Sequence, residues 1–298
     1  MSDTRQSTYQ RMNSELLSLH MTLLSPDFPP AYHMTNKTKT AFDWEQTRVK
    51  KLFAFLEKNT VWNREFQQRD YKRCLASCTT DRDRLVSFLH LNVNTQSGAD
   101  MNGLRPFWEL LHRATPAETS SLKAFTTYVG QQAEELPQKK GRALANPAAD
   151  DWELLFDALN SYRGWGTKTT ALFVKASINL HRGPKELHFW SDASPEFAPL
   201  KSTPRLPVDR VILRIFEELH FPSPRIDNIN TEMRSRYTGE QMLTWDDLWF
   251  WGFFTQTVKD KDRILGWNSG KFWNQLSSPK DREVELRALG EEFVQLLR

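Results

Sequence analysis

From Asp43 onward, apolar residues recur at steps of three and four, and no stretch sustains the strict alternation of a half-buried strand. Trp44, Val49, Leu52, Phe53 and Leu56 make one such series, and Leu85, Phe88, Leu89 and His90 make another behind the cap-like Asp81 or Asp83. Segments of the same period run over 104–112, 122–133 (with Pro116 ahead of its start), 152–159, 168–180, 208–219, 240–258 and 282–297. A chain patterned this way buries helix against helix, so an all-α protein of roughly eight to twelve helices is expected. Its 298 residues, 39% of them hydrophobic, suffice for a sizeable core in one large or two small domains.

Two stretches break the rhythm. Residues 1–40 are polar and marked by Pro26, Pro29 and Pro30, with a short helix expected over Ser14 to Leu24, and read as an N-terminal extension to a helical core at 41–298. His181 to Arg205 carries Gly183, Pro184, Pro195, Pro199 and Pro204 among several aromatics and reads as a long surface loop or irregular insert. Loops of that length inside a compact domain are usually functional or disordered.

The balance of 40 basic and 37 acidic residues means that affinity for a polyanion must come from where charges sit. One region segregates: between Asn160 and Lys185 there is no Asp or Glu, but there are Arg163, Lys168, Lys175, Arg182 and Lys185. Taken alone, such a run is as well explained by a solvated basic face. Cys74 and Cys78 are the only cysteines and read as ordinary buried thiols, so a disulfide framework is excluded, and with no H-x-x-x-H pair among seven histidines neither a metal nor another cofactor is expected. No apolar run reaches bilayer length and the N-terminus lacks a signal-peptide core, so a cytoplasmic monomer without a membrane partner is expected, nucleoid-associated if the source is bacterial.

Within the basic run lies Ser161-Tyr-Arg-Gly-Trp-Gly-Thr-Lys168. A helix ends near Tyr162, Gly164 and Gly166 permit a positive-φ turn, and a new helix starts about Thr167 with its first N–H groups unpaired. Such groups, backed by the helix dipole, hold a phosphate oxygen without reading sequence. A nucleotide-binding P-loop is ruled out because Thr167 separates Gly166 from the lysine. A plain helix-to-helix turn without a ligand remains open on these residues alone.

Downstream stands Leu206-Pro-Val-Asp209-Arg210. Together the two motifs resemble the helix-hairpin-helix DNA glycosylases, the superfamily of endonuclease III and the 8-oxoguanine glycosylases. The likeness is greatest to the lysine-bearing 8-oxoguanine branch, and it is specific over 160–180 and 206–219 only. It implies a two-lobed helical fold with the hairpin at 160–180, an insert at 181–205 and a catalytic-aspartate helix at 206–219. It also implies Lys168 as nucleophile, Asp209 as essential carboxylate and duplex DNA carrying a modified base as partner.

The residue types suit that chemistry. Cleaving an N-glycosidic bond builds positive charge on the sugar, which a carboxylate beneath the ring stabilises. A lysine can attack the anomeric carbon once its amine, of ordinary pKa ~10.4, is neutral. The resulting imine permits strand cleavage by β-elimination. The bland alternatives are a phosphate contact for Lys168 and an N-cap for Asp209, which together would leave a non-catalytic DNA-binding module.

This chain departs from the family in three respects. Asp209 follows Lys168 by 41 residues (209 − 168), longer than the resemblance leads one to expect, because of the insert. Iron–sulfur cysteines are missing, and the resemblance does not extend to the N-terminal third, so substrate specificity is not inherited from any one member. The insert should therefore lie near the cleft, within reach of DNA or the extruded base.

An extruded base needs aromatic faces and a few polar groups. The densest supply is Trp245-Asp-Asp-Leu-Trp249-Phe-Trp251-Gly-Phe-Phe254-Thr-Gln256, where Trp251, Phe254 and Gln256 are the expected pocket residues. Trp165 at the hairpin tip is expected near the DNA backbone, with Arg163, Lys175, Arg210 and Arg214 as phosphate contacts beside Gly164, Gly166 and Thr167. Hairpin similarity favours an oxidised purine in base-excision repair. As an alternative, the insert, the unfamiliar N-terminal region and the abundance of tryptophan suit a bulkier base, such as the glucosylated hydroxymethylcytosine that some glycosylases excise from phage DNA in antiviral defence.

Overall fold

The computed structural model describes residues 42–94, 100–135, 150–193, 204–260, 262–276 and 280–298, so the extension at 1–40 and its expected helix lie outside the described residues. The chain is predominantly helical, as its periodicity requires. Helix α1 (Thr47–Leu75) runs for 29 residues, with Lys72 and Arg73 in its last turn where they complement the helix dipole. After it come α2 (Asp81–Asn94), α3 (Met101–Arg113), the single turn α4 (Pro116–Thr119), α5 (Leu122–Glu135), α6 (Asp151–Ser161) and α7 (Thr167–His181). The second half holds α8 (Arg210–Glu218), α9 (Ile226–Arg234), α10 (Gly239–Trp245), α11 (Asp247–Phe254), α12 (Ser269–Leu276) and α13 (Lys280–Leu297).

Side-chain caps set several helix starts. Asp150 accepts from the N–H groups of Trp152 and Glu153, Asp100 from that of Gly103, and Thr115 and Thr238 each form a capping box with the residue three further on.

Buried side chains gather in two clusters. The middle core, residues 71–193, is built from the end of α1 and from α2 to α7, and the terminal core joins residues 42–66 to 206–297. Helix α1 spans both, burying Val49, Leu52, Phe55, Leu56 and Phe66 in one and Tyr71 and Leu75 in the other. Charged and polar contacts tie the two together. Lys175 of α7 pairs with Asp246 at 2.7 Å, with both side chains buried. Next to that pair, within the terminal core, Asn63 of α1 donates to Asp247 at 2.5 Å. Arg182 pairs with Glu240, while Arg205 and Arg234 converge on Glu153 at 2.6 and 3.0 Å.

Three expectations need correction. The apolar-periodic stretch 240–258 is not one helix: it divides at Asp246 into α10 and α11 and then enters an antiparallel hairpin, β1 (Gln256–Lys259) with β2 (Asp262–Leu265), in register Val258 to Arg263. Four-residue strands with exposed Val258 and Ile264 carry too short and too irregular an alternation to be seen in sequence. Secondly, the part of the insert that is described is not a surface loop. After a 3-10 turn at Lys185–Leu187, Phe189 and Trp190 are buried in the middle core, and the Asp192 carboxylate accepts from the N–H groups of Leu122 and Lys123 at the start of α5. Residues 194–203 lie outside the described residues. Thirdly, Cys74 and Cys78 are half-buried rather than fully buried, each with its thiol directed at Ser87.

Candidate active site

The turn between α6 and α7 is held from below. Tyr162 is buried and its hydroxyl donates to the Val129 carbonyl at 2.7 Å. Gly164 has φ +89°, and a Cβ there would lie 2.7 Å from the Leu104 nitrogen, so both conformation and space demand glycine. Trp165 does not face outward as its place at the tip suggested. It is fully buried, with its ring 5.0 Å from Phe107 and 6.0 Å from Phe173. An indole between two apolar helices gains more from burial than from exposure beside a phosphate, so Trp165 plugs the turn into the middle core.

Gly166 differs from Gly164. It is the N-cap of α7 at φ −89° and ψ 161°, a conformation open to any residue, and a Cβ there would meet nothing within 4 Å. The first turn of α7 has no acidic residue and no side-chain cap, which leaves the leading N–H groups, beginning at Thr167, available to an outside acceptor. Lys168 follows in that turn and is half-buried. Burial lowers its ammonium pKa below the ordinary lysine value, and the negative charge of Asp209 partly opposes that shift. The fold has therefore brought Lys168, from the middle core, into electrostatic reach of Asp209, from the terminal core.

Asp209 sits where Leu206-Pro-Val ends. That segment is pinned by Asn230, whose side chain accepts from the Leu206 N–H at 2.7 Å and donates to the Leu206 carbonyl at 3.0 Å. Asp209 is the N-cap of α8, its Oδ1 accepting from the N–H groups of Val211 at 2.8 Å and Ile212 at 3.1 Å. Capping occupies only one oxygen. The other, Oδ2, accepts the indole N–H of Trp249 at 3.2 Å and retains acceptor capacity. Helix α11 can come this close to α8 because of Gly252, where a Cβ would fall 2.6 Å from Val211.

The expected base pocket is not formed by Trp251, Phe254 and Gln256. Trp251 packs on Phe55 and Phe293, Phe254 on Phe66 and Phe250, and Gln256 donates to the Val211 carbonyl at 2.9 Å, all three buried in the terminal core. The face of α11 turned toward Asp209 is one step around the helix. Trp249 and Phe253, separated by one turn, stack at 5.1 Å and remain partly exposed. Beside them Lys271 of α12 donates to the carbonyls of Phe253 and Gln256, each at 2.9 Å, and stands 4.4 Å from the Phe253 ring centre. Arg263 of β2 and Lys271 both feel the Asp209 charge. Sequence reasoning missed Trp249 and Phe253 because α11 is aromatic on nearly every side, which removes the polar face that would have shown its orientation, and missed Arg263 and Lys271 because they stand on separate elements that only tertiary packing brings to α11.

The expected phosphate contacts divide. Arg163 is exposed, with Asp100 3.7 Å away, and Arg210 is exposed at the start of α8. Arg214 is drawn along its own helix to Glu217 at 3.3 Å and to Glu218, which compete with any phosphate. Lys175 is no phosphate contact, being committed to the buried pair with Asp246. A shallow depression on the seam, lined by Trp152, Phe156, Val174 and Arg205 among others, takes in neither Lys168 nor Asp209. Among the described residues no cluster of His, Cys, Asp or Glu could hold a metal ion, and no helix is long and apolar enough to cross a membrane.

No family model, no curated protein and no solved structure matches the chain.

Proposed function

We propose that this protein is a two-lobed helix-hairpin-helix DNA glycosylase that cleaves the N-glycosidic bond of a modified base flipped out of duplex DNA and then nicks the strand as an abasic-site lyase. The observation that carries this reading is the juxtaposition of Lys168 and Asp209. A lysine whose amine is favoured by burial and a carboxylate anchored by three hydrogen bonds come from different cores and from motifs 41 residues apart (209 − 168). A structural lysine or a simple N-cap needs no such partner.

Asp209 stabilises positive charge on the sugar as the C1′–N bond breaks and its electron pair leaves with the base. The Lys168 amine then forms a bond to C1′ and loses its proton. Opening of the C1′–O4′ bond gives an imine, and abstraction of a C2′ proton expels the 3′ phosphate. The uncapped start of α7, the open space at Gly166, and exposed Arg163 and Arg210 suit the phosphate backbone of the duplex.

Borohydride trapping tests the proposal on duplexes carrying 8-oxoguanine, uracil, hydroxymethylcytosine, glucosylated hydroxymethylcytosine or an abasic site. A covalent adduct lost in Lys168→Ala is expected, and the duplex that gives it separates repair of an oxidised purine from defence against hypermodified phage cytosine. Absence of any adduct rejects the lyase step. If free-base release is absent as well, the protein is a binding module.

A further inference from the structure

Breaking an N-glycosidic bond leaves negative charge on the departing base as well as positive charge on the sugar. Lys168 and Asp209 serve only the sugar. On the α11 side of Asp209, however, stand two cations, and the hairpin register places Arg263 on the inner face with buried Gln256 and Leu265, where Gln256 donates to the Val211 carbonyl at 2.9 Å, two residues beyond Asp209. Arg263 is half-buried on β2, and its guanidinium makes no hydrogen bond or ion pair with any described residue. Half-burying an arginine without a partner costs free energy, and a second cation beside it adds to the cost. That second cation is Lys271, whose pKa is drawn down to about 8 by burial and then by the charge of Arg263. Lys271 is fastened to the carbonyls at the end of α11 and the start of β1, whereas Arg263 has its donors free. Contacts link the cluster to the reacting carboxylate: Asp209 to Trp249 at 3.2 Å, Trp249 to Phe253 at 5.1 Å, and Phe253 to Lys271 at 4.4 Å.

We propose that Arg263 is the leaving-base contact: its guanidinium donates to a carbonyl oxygen of an extruded base lying against the Trp249–Phe253 face, and so selects neutral, carbonyl-bearing bases over cationic alkylated ones. This rests on the glycosylase reading and adds a substrate class to it. When the C1′–N bond breaks, the electron pair passes into the base and onto that oxygen, where Arg263 meets it, and the base afterwards takes a proton from water. A cationic base such as 7-methylguanine departs as a neutral molecule and gains nothing from the arginine. It would also be repelled by two positive charges on the way in. Lys271 acts as a positioning residue, fixing the hairpin against α11 so that Arg263 is held at the pocket.

The experiment is single-turnover base release by the full-length protein from duplexes with 8-oxoguanine, uracil, hydroxymethylcytosine, glucosylated hydroxymethylcytosine or 7-methylguanine, using wild type, Arg263→Gln, Arg263→Lys and Asp209→Asn. Wild type is expected to release one or more of the neutral bases and to leave 7-methylguanine in place. Arg263→Gln should slow release at saturating protein by about 10²-fold, the scale of losing one preorganised donor to a developing anion. Its affinity for the duplex should change little, and Arg263→Lys should recover part of the rate. Three results would overturn the inference alone: undiminished release by Arg263→Gln while Asp209→Asn is inactive, preferred release of 7-methylguanine, or a defect confined to affinity and shared by unmodified duplex, which marks a phosphate contact. Release of no base by the wild type overturns the inference and the glycosylase reading together.

Discussion

The indole N–H of Trp249 donates to Oδ2 of Asp209 at 3.2 Å, so the carboxylate is held by α11 as well as by the helix that it caps. Trp249→Phe removes that bond but keeps a ring to stack on Phe253. A hydrogen bond to a charged group is worth ~1.5–3 kcal/mol, so base release should fall by roughly tenfold to a hundredfold with the melting temperature little changed. Unaltered release in single-turnover assays would show that the α8 N–H groups orient Asp209 unaided.

Gly164 and Gly166 should separate folding from binding. Gly164→Ala forces a side chain into φ +89° and against the Leu104 backbone, and should destabilise the protein by more than ~1 kcal/mol in denaturant unfolding. Gly166→Ala meets no protein atom and should shift stability by less than ~1 kcal/mol. It should nonetheless weaken duplex binding, measured by fluorescence anisotropy, because its methyl group would stand where a phosphate approaches the α7 N-terminus. Wild-type affinity in Gly166→Ala would remove that approach from the binding scheme.

Lys168 should form its imine at lower pH than an ordinary lysine. Burial disfavours the charged ammonium and lowers its pKa, while Asp209 raises it, so removing the Asp209 charge must lower it further. Trapping on an abasic duplex, followed from about pH 6 to 11, should rise with an inflection below the ordinary lysine value, and in Asp209→Asn that inflection should move to still lower pH. A move to higher pH would mean that Asp209 does not act on the Lys168 charge.

Asp247 supplies a stability signature of the seam between the cores. Its pKa is pushed up to about 7, chiefly by burial and further by Asp246, against hydrogen bonds from Asn63 and Thr60 and the charge of Lys175. A carboxyl with a folded-state value above its unfolded value of ~3.9 contributes stability that is present below that lower value and is lost as pH rises toward the upper one. Asp247→Asn mimics the protonated form. Relative to wild type it should gain stability between pH 5 and 8, by ~1.4 kcal/mol for each pKa unit of the folded-state shift that is realised. Parallel melting curves across that pH range would show that Asp247 stays ionised in the fold.

Local rules in the sequence determined the helices and the hairpin turn, because period, capping and glycine conformation depend on residues a few positions apart. Asp81 and Asp83 fall in the first turn of α2, the helix whose start they marked, and the turn at Gly164 follows from a backbone angle that other residues seldom adopt. The resemblance carried by the two motifs singled out Lys168 and Asp209, but no local rule showed that the fold would bring them into electrostatic reach.

What only the tertiary structure decided is which way each side chain points. Lys175 and Lys168 stand seven positions apart on one basic helix, yet one is buried against Asp246 and the other lies near Asp209. Nothing local distinguishes them, since each carboxylate arrives from the other core. Likewise Trp249 and Trp251 differ by two positions on an aromatic helix, and only the packing of α11 on α8, α1 and α13 turns the first toward Asp209 and the second into the core. Burial energy scales with apolar area and is indifferent to which tryptophan supplies it, so the choice falls to the fit between helices.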